Sequence, residues 1–178
     1  MKKTVLTFGL ISAALSSVMM LLTVPFMDRI TRSDLGEYVG YTLILLSFLL
    51  VFFGVRSYRD NVGGGTVTFG RAFTVGILIT LLSCVGYVIT WEFIYFTLVP
   101  DFADKYAAYA VEHARASGAS AQAIDETTRQ MEAFKVMYNK PLMNAAVTFL
   151  EPFPIGLLVT VVSAAVLRKK APSAIQPV

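Results

Sequence analysis

Four long apolar stretches constrain the fold of this chain more than any other feature of its sequence. They cover residues 4–27, 38–55, 72–99 and 142–167. A helix needs about 20 residues to cross the roughly 30 Å hydrocarbon core of a bilayer, and each stretch is close to or above that length. Backbone groups in lipid must be satisfied within the segment, which favours helices. We therefore predict an all-α, four-helix transmembrane bundle in a single integral membrane domain, 1–178.

The composition agrees with an apolar solvent. Hydrophobic residues make up 56% of the 178 residues and charged residues only 15%, where soluble domains carry about 25% charged residues. A soluble fold of this size has too much surface relative to its volume to hide so many apolar side chains. The lipid bilayer is therefore the first expected partner.

The first stretch has to be compared with a cleaved signal peptide, because Lys2 and Lys3 precede it. Its apolar run continues to Met27, beyond the usual 7–15 residues of a signal-peptide core. The cleavage-like triplet Ala14-Leu15-Ser16 lies inside the run. We expect a retained helix.

The charges predict the orientation. If the N-terminus is cytoplasmic, the cytoplasmic segments hold one acid, Asp60, and the basic residues Lys2, Lys3, Arg56, Arg59, Arg71, Arg168, Lys169 and Lys170. The opposite segments hold Arg29, Arg32, Lys105, Arg115, Arg129, Lys135 and Lys140 with the acids Asp28, Asp34, Glu37, Asp101, Asp104, Glu112, Asp125, Glu126 and Glu132. Basic residues packed against helix ends mark the cytoplasmic side. We predict that both termini are cytoplasmic.

Several function classes are disfavoured. The net charge is +3, but the basic residues cluster at the ends of apolar runs and form no nucleic-acid-binding face. The chain has one histidine, His113, and one cysteine, Cys84, which is too few for the usual zinc site. No G-x-S-x-G nucleophile motif is present. We expect a non-enzymatic protein without catalytic residues, metal, cofactor or nucleic-acid partner.

The polar segment 101–140 is predicted to form two amphipathic helices between the third and fourth spans, on the extracytoplasmic side. Phe102, Tyr106, Tyr109 and His113 fall on one helical face, and Ile124, Thr127, Met131, Phe134 and Tyr138 on another. Gly118 suits a helix C-terminus and Ser120 an N-cap. The two stripes either close as a hairpin or lie on the membrane surface. The first of these helices is expected to extend the third span, with Pro100 tolerated or causing a kink.

A glycine cluster, Gly63-Gly64-Gly65, lies in the short segment between the second and third spans. It matches neither phosphate-binding pattern, G-x-x-x-x-G-K-[ST] or G-x-G-x-x-G. We interpret it as a tight turn, followed by Val67 and Phe69 at the membrane interface.

Short motifs along the chain resemble a known family. They are Phe52-Phe53-Gly54-Val55-Arg56-Ser57-Tyr58-Arg59-Asp60, Thr68-Phe69-Gly70-Arg71-Ala72, Phe149-Leu150-Glu151-Pro152-Phe153-Pro154-Ile155-Gly156-Leu157, Ser163-Ala164-Ala165 and Arg168-Lys169-Lys170. The chain resembles the domain-of-unknown-function family four-one-nine-nine, small multi-pass membrane proteins common in Bacteroidetes and found in other Gram-negative bacteria. The resemblance implies a four-helix membrane protein of bacterial origin, and it implies no activity. We expect such a protein to lie in the bacterial inner membrane.

Two acids lie within the apolar stretches, Glu92 in the third and Glu151 in the fourth. Counted at 1.5 Å per residue, both lie roughly 10–15 Å below the outer surface, on antiparallel helices. A charged carboxylate at such depth is costly, so it is usually paired, protonated or facing water. The hydroxyls of Tyr41, Thr42, Ser47, Tyr87, Thr90 and Tyr95 are candidate partners.

Pro152 and Pro154 follow Glu151 directly, and both lack a backbone N–H, which frees the carbonyls of Thr148 and Leu150. Broken helices at depth mark substrate or ion sites in transporters, and they also occur as plain kinks. The four residues Glu92, Glu151, Pro152 and Pro154 therefore form the candidate functional or structural polar site, and a structural role is favoured.

Small residues recur at spacings of four in three stretches: Gly9, Ala13 and Ser17; Gly76, Thr80 and Cys84; Gly156, Thr160 and Ala164. Such rows allow helices to approach closely in lipid. We expect them to pack the chain's own bundle, in preference to a dimer interface.

Two functional hypotheses follow. The first is an interaction protein whose 101–140 hairpin meets an envelope protein. The second is a small proton-coupled transporter or carrier centred on Glu92 and Glu151.

Overall fold

The computed structural model describes residues 1–31 and 35–169, with only the backbone of residues 31 and 35–37. The charges predicted for Arg32, Asp34, Glu37 and Lys170 lie outside the described side chains. The helices are α1 (Lys2–Thr23), α2 (Met27–Thr31), α3 (Leu35–Asn61), α4 (Phe69–Phe93), α5 (Phe102–Ala116), α6 (Ala121–Tyr138), α7 (Pro141–Leu150) and α8 (Phe153–Leu167). A short 3-10 turn, Val24–Phe26, joins α1 to α2.

Four helical stretches are long and apolar enough to cross a membrane: Lys2–Ile30, Tyr38–Asn61, Phe69–Leu98 and Pro141–Leu167. They coincide with the four predicted spans, so the all-α prediction is confirmed. The second span runs further than predicted, to Asn61, because helical backbone continues through Arg56–Asp60 after the apolar side chains end.

The spans pack around α3 and α4. Gly9, Ala13 and Ser17 of α1 lie against Leu82, Gly86 and Thr90 of α4, so these two helices are parallel. Both α3 and α8 run the other way. The two termini of the bundle and the turn between α3 and α4 therefore lie at one end, which we call the terminal end. The segment between α4 and α7 lies at the other, the hairpin end.

The rows of small residues pack the bundle of this chain, as predicted. A Cβ added to Gly86 would lie 2.5 Å from the Cβ of Ala13, and one added to Gly156 would lie 2.5 Å from the Cγ2 of Thr80. One added to Gly76 would lie 2.8 Å from the Cγ2 of Thr160. Only residues without a side chain at these points let the helix axes come this close.

Hydroxyl groups join the same helices inside the apolar region. The hydroxyls of Ser17 and Thr90 are 2.6 Å apart, and those of Thr80 and Thr160 are 2.9 Å apart. Ser12 of α1 donates to the carbonyl of Ser47 in α3 at 2.9 Å. In lipid, such hydrogen bonds fix one rotation of each helix against its neighbour.

The glycine cluster forms a tight turn, as predicted. Gly64 and Gly65 have φ values of +60° and +83°, a region that residues with a Cβ rarely adopt. Beyond the turn, Val67 and Lys169 exchange two backbone hydrogen bonds of 3.0 and 2.9 Å. Val67 is buried within the protein, whereas Phe69 is exposed. The bridge ties the turn to the end of α8.

The fourth span breaks at its two prolines. α7 ends at Leu150 and α8 begins at Phe153, with Pro152 as its N-cap residue. This confirms the predicted bend beside Glu151. The ring of Pro152 is buried, whereas Pro154 is exposed.

The third span ends differently from the prediction. A π-helical turn, Ile94–Leu98, follows α4, and Val99 then leaves helical geometry. The N–H of Val99 bonds to the carbonyl of Ile94 at 3.0 Å. Pro100 lies in this break, and α5 begins beyond it, at Phe102. The third span does not pass into α5 as one helix, and the interruption lies at Pro100, where a kink was one of the two expected outcomes.

The segment 101–140 closes as a helical hairpin of α5 and α6, as predicted, with Gly118 at φ +76° in its turn. Ser120 caps α6 by accepting from the N–H of Ala123 at 3.2 Å. The predicted stripe of α6 is at least half-buried along its length. On α5, however, the buried residues are Ala103 and Ala107, because small side chains allow close approach. The aromatic stripe of α5 lies along the edge of the hairpin.

Candidate functional site

Glu151 lies at the break between α7 and α8, on the outer surface of the bundle. Its Oε2 accepts a hydrogen bond of 3.2 Å from the hydroxyl of Tyr87 in α4. Tyr87 is among the hydroxyl partners that the sequence suggests. The contact joins the broken fourth span to the third at the point where α7 has no regular hydrogen bond to continue into α8.

Glu92 lies on another face of α4. It follows Tyr87 by five residues, which places it about 140° around a helix of 3.6 residues per turn. Seven residues separate Glu92 from Val85, so these two share a face, and Val85 and the nearby Ile89 are exposed. The side chain of Glu92 is half-buried, and its Oε1 is buried without a hydrogen-bond partner among the described residues.

The two carboxylates do not meet in one hydrogen-bonded site. Glu151 bonds to Tyr87, on the side of α4 that faces the fourth span, whereas Glu92 points to a different side. Pro152 lies at the helix break, and its carbonyl accepts from the N–H of Gly156 at 3.0 Å as the first turn of α8.

A larger polar and aromatic assembly lies just above Glu151, where the hairpin meets the bundle. The indole N–H of Trp91 donates to the hydroxyl of Tyr138 at 2.9 Å. The hydroxyl of Tyr95 donates to the Oδ1 of Asn139 at 2.7 Å. Both bonds connect the third span to the end of α6. Tyr95 is almost fully buried, with 1% of its surface exposed.

Aromatic rings pack around these bonds. The rings of Trp91 and Phe102 meet edge to face with centroids 5.1 Å apart, and those of Tyr95 and Tyr138 with centroids 5.2 Å apart. Phe134 stacks on Tyr138 at 4.8 Å. Such arrangements contribute beyond the area they bury. We call Trp91, Tyr95, Phe102, Phe134 and Tyr138 the aromatic joint.

Asn144 of α7 lies next to the aromatic joint and bonds to one of its residues, Tyr138. It is fully buried, its amide donates to the carbonyl of Tyr138 at 3.1 Å, and its Oδ1 accepts from the hydroxyl of Thr148 at 3.1 Å. A buried amide is stable only when its groups are paired. The bond to Tyr138 holds the first turns of α7 against the end of α6, and the bond from Thr148 orients the Asn144 amide.

Ion pairs fasten the hairpin from outside. The Nζ of Lys105 in α5 lies 2.6 Å from Asp28 in α2 and 2.7 Å from Asp101. The Nζ of Lys135 in α6 lies 2.8 Å from Asp104 in α5. The hydrogen bond to Asp101 raises the pKa of Lys105, and the bond to Asp104 raises the pKa of Lys135. The pair between Lys105 and Asp28 joins the hairpin to the bundle, and the pair between Lys135 and Asp104 joins the two hairpin helices.

The sequence pointed to the carboxylates and missed the joint. Trp91 lies 47 positions before Tyr138, so no local spacing connects the third span to the end of α6. The sequence signal that could have indicated the joint is the cluster of aromatic residues around the end of the third span and just before the fourth. Within residues 1–31 and 35–169, no three His, Cys, Asp or Glu side chains come together to hold a metal ion.

The comparison with family models confirms the family that the sequence motifs resemble. A family model described as "Protein of unknown function (DUF4199)" matches residues 7–169. No curated protein matches the chain, and no solved structure does.

Proposed function

The chain belongs to this family of proteins of unknown function, and we propose that it is a non-enzymatic multi-pass protein of the bacterial inner membrane whose hairpin binds an envelope protein. Both termini are then cytoplasmic, and the α5–α6 hairpin is extracytoplasmic.

The charge distribution supports this orientation. The terminal end carries the basic residues Lys2, Lys3, Arg56, Arg59, Arg71, Arg168 and Lys169. Among the described residues, Asp60 is the acid at that end, and it lies 2.7 Å from Arg59. Basic residues next to span ends are retained in the cytoplasm during insertion. The hairpin end carries both signs and most of the acids.

The observation that carries the proposed interaction is the fastening of the hairpin. Two spans can be connected by a flexible loop, and ordering a residue costs about 1–2 kcal/mol. Here the hairpin is held by the aromatic joint and by Lys105, which bridges Asp28 and Asp101. A surface held in one position loses less entropy when it binds. A binding surface benefits from being held in one position relative to the bundle, whereas a linker between two spans does not need this.

The edge of α5 is the surface best suited to contact a protein. Tyr106 is 38% exposed and His113 is exposed on the same face. Aromatic side chains are over-represented among residues that dominate protein interfaces. The outer face of α6 differs, since Glu126 and Glu132 make it polar.

Site-specific photocrosslinking in intact cells tests the proposal. A photoreactive residue at His113 is expected to give one defined protein adduct, whereas one at Glu126 on the outer face of α6 is expected to give little. The adduct from His113 should decrease several-fold in Asp28→Asn, because the hairpin loses its contact with α2. Asp125→Asn is the matched control: it breaks the pair with Arg129 inside α6 and should leave the adduct unchanged. Equal adducts from both positions, or only lipid, would contradict the proposal.

A proton-coupled carrier is the second candidate, favoured by the buried, unpaired Oε1 of Glu92 and by the helix break beside Glu151. It predicts that Glu92→Gln and Glu151→Gln abolish a growth or transport phenotype while the amount of folded protein stays normal. Tyr87→Phe distinguishes a structural role of the hydrogen bond to Glu151 from a transport role of the carboxylates, because it removes that bond and keeps both carboxylates. Unchanged phenotypes in both Gln variants would eliminate the carrier.

A further inference from the structure

A groove opens on the side of the bundle at the terminal end, between α1 and α3. Its volume is about 480 Å³, and its lining is mostly apolar. The lining residues are Phe8, Leu50, Phe53, Arg56, Ser57 and Asp60. The groove does not involve the hairpin or either membrane-depth carboxylate.

The groove changes from apolar to polar along α3. Leu50 and Phe53 form its inner part with Phe8 of α1, and Arg56, Ser57 and Asp60 form the part nearest the terminal end. Six residues separate Leu50 from Arg56, which is about 9 Å along a helix. This gradient has the same direction and scale as the step from acyl chain to headgroup in a phospholipid.

Arg56 has free hydrogen-bonding capacity at the polar end. Asp60 accepts a hydrogen bond of 2.7 Å from the Nε of Arg59, whereas the Nε of Arg56 is 3.7 Å from Asp60, beyond hydrogen-bonding distance. The Arg56 guanidinium therefore pairs with Asp60 only at this longer distance, and 57% of its side chain is exposed. The two arginines and one aspartate leave a net positive charge, and Lys2 and Lys3 add to it at the same end.

We propose that this groove binds an anionic phospholipid, with an acyl chain along Phe8, Leu50 and Phe53 and the phosphate at Arg56. A guanidinium matches phosphate geometry with paired N–H donors. A zwitterionic lipid brings a cationic group to the same positive end, so an anionic headgroup is favoured. The proposal goes beyond the proposed interaction of the hairpin and holds for either orientation in the membrane.

Native mass spectrometry of the purified full chain tests the headgroup contact. From an equimolar mixture of phosphatidylglycerol and phosphatidylcholine, the protein is expected to retain one phosphatidylglycerol preferentially. Arg56→Gln should lower that retention about fivefold, the effect of one basic residue on an anionic lipid surface. Arg71→Gln removes an equal charge at the same end outside the groove and should retain the lipid normally. Equal losses in the two variants, or no preference between the lipids, would overturn the proposal.

The acyl-chain contact has its own control. Phe53 is 49% exposed in the groove and Phe93 is 54% exposed on α4 at the other end of the bundle. Phe53→Ala should reduce phosphatidylglycerol retention, and Phe93→Ala should not. Water-soluble glycerophosphate is expected not to displace the lipid. Displacement by glycerophosphate, or equal retention in the two alanine variants, would show that no lipid chain occupies the groove.

Discussion

The bundle and the hairpin of this chain are held together by different interactions. Inside the bundle, helices meet at glycines and share short hydroxyl hydrogen bonds, such as the one between Thr80 and Thr160. In the hairpin, ion pairs lie outside and stacked aromatic rings lie at the base. Lipid gives no hydrophobic reward for association, so close packing and hydrogen bonds must hold the spans. Where water is present, charges and aromatic burial take over that role.

The largest effect is expected from filling a glycine contact in the bundle. Gly156→Ala places a Cβ 2.5 Å from Thr80 and 2.8 Å from the ring of Phe48, and overpacking of this kind costs about 1–3 kcal/mol. Gly40→Ala is the matched control, because its Cβ would meet nothing within 4 Å among the residues that the structure describes. Unfolding in mixed micelles should show a clear loss for Gly156→Ala and none for Gly40→Ala. Equal stability of the two variants would mean that glycine contacts do not hold the bundle.

An effect of comparable size is expected at the boundary between the two regions. Asn144→Leu removes the donor to the Tyr138 carbonyl and the acceptor of the Thr148 hydroxyl, and a buried group left unpaired costs about 1–3 kcal/mol. Thr148→Val removes one of these bonds and should cost less. The loss of unfolding free energy in the double variant should be smaller than the sum of the losses in the two single variants. Strict additivity would argue against a shared network.

A smaller effect is expected from a hydroxyl pair inside the bundle. Thr80→Val removes the bonds to Thr160 and to the Gly156 carbonyl, and such bonds between spans are worth about 0.6 kcal/mol on average and at most about 1.7 kcal/mol. Thr74→Val is the control, since its hydroxyl bonds only within its own helix, to Gly70. The same mixed-micelle assay distinguishes them. A Thr74→Val loss as large as that of Thr80→Val would remove the case for hydroxyl pairing between helices.

The smallest effect is the response of the hairpin to pH. Hydrogen bonding to Lys105 lowers the pKa of Asp101, so its stabilisation is present above the unfolded value of about 3.9 and is lost as the pH falls through the lower folded value. The raised pKa of Lys105 keeps its contribution full below about 10.4, and it is lost as the pH rises through the folded value. The distribution of distances between spin labels on α5 and α1 should therefore be narrow near neutral pH and slightly broader at very low and very high pH. Broadening confined to neutral pH would contradict this assignment.

The parts of the fold that could be predicted from sequence are those with a local cause. Each span follows from the length of one apolar run, and the break in the fourth follows from the missing N–H groups of Pro152 and Pro154. The turn at Gly63–Gly65 follows from residues that tolerate positive φ. These features need no knowledge of neighbouring helices.

The parts that could not be predicted depend on helix rotation. Glu92 and Glu151 lie at similar depth by residue count, but the hydroxyl contacts of α4 determine which of its faces meets the fourth span, and Tyr87 occupies that face. The packing face of α5 is set by Ala103 and Ala107, whose small size gives a weaker sequence signal than the aromatic stripe beside them. The π-helical turn before Pro100 contains Tyr95, which is buried in the aromatic joint against side chains that lie far away in the sequence.

The most direct test of the proposed function is the side of the membrane on which the hairpin lies. Cys84 is buried, and its replacement by serine gives a background for single cysteines at the exposed positions Ser117, in the hairpin turn, and Val62, in the turn between α3 and α4. A membrane-impermeant maleimide should label Ser117→Cys in intact cells and Val62→Cys only after the inner membrane is opened. Labelling of Val62→Cys alone in intact cells would place the hairpin in the cytoplasm and contradict the account.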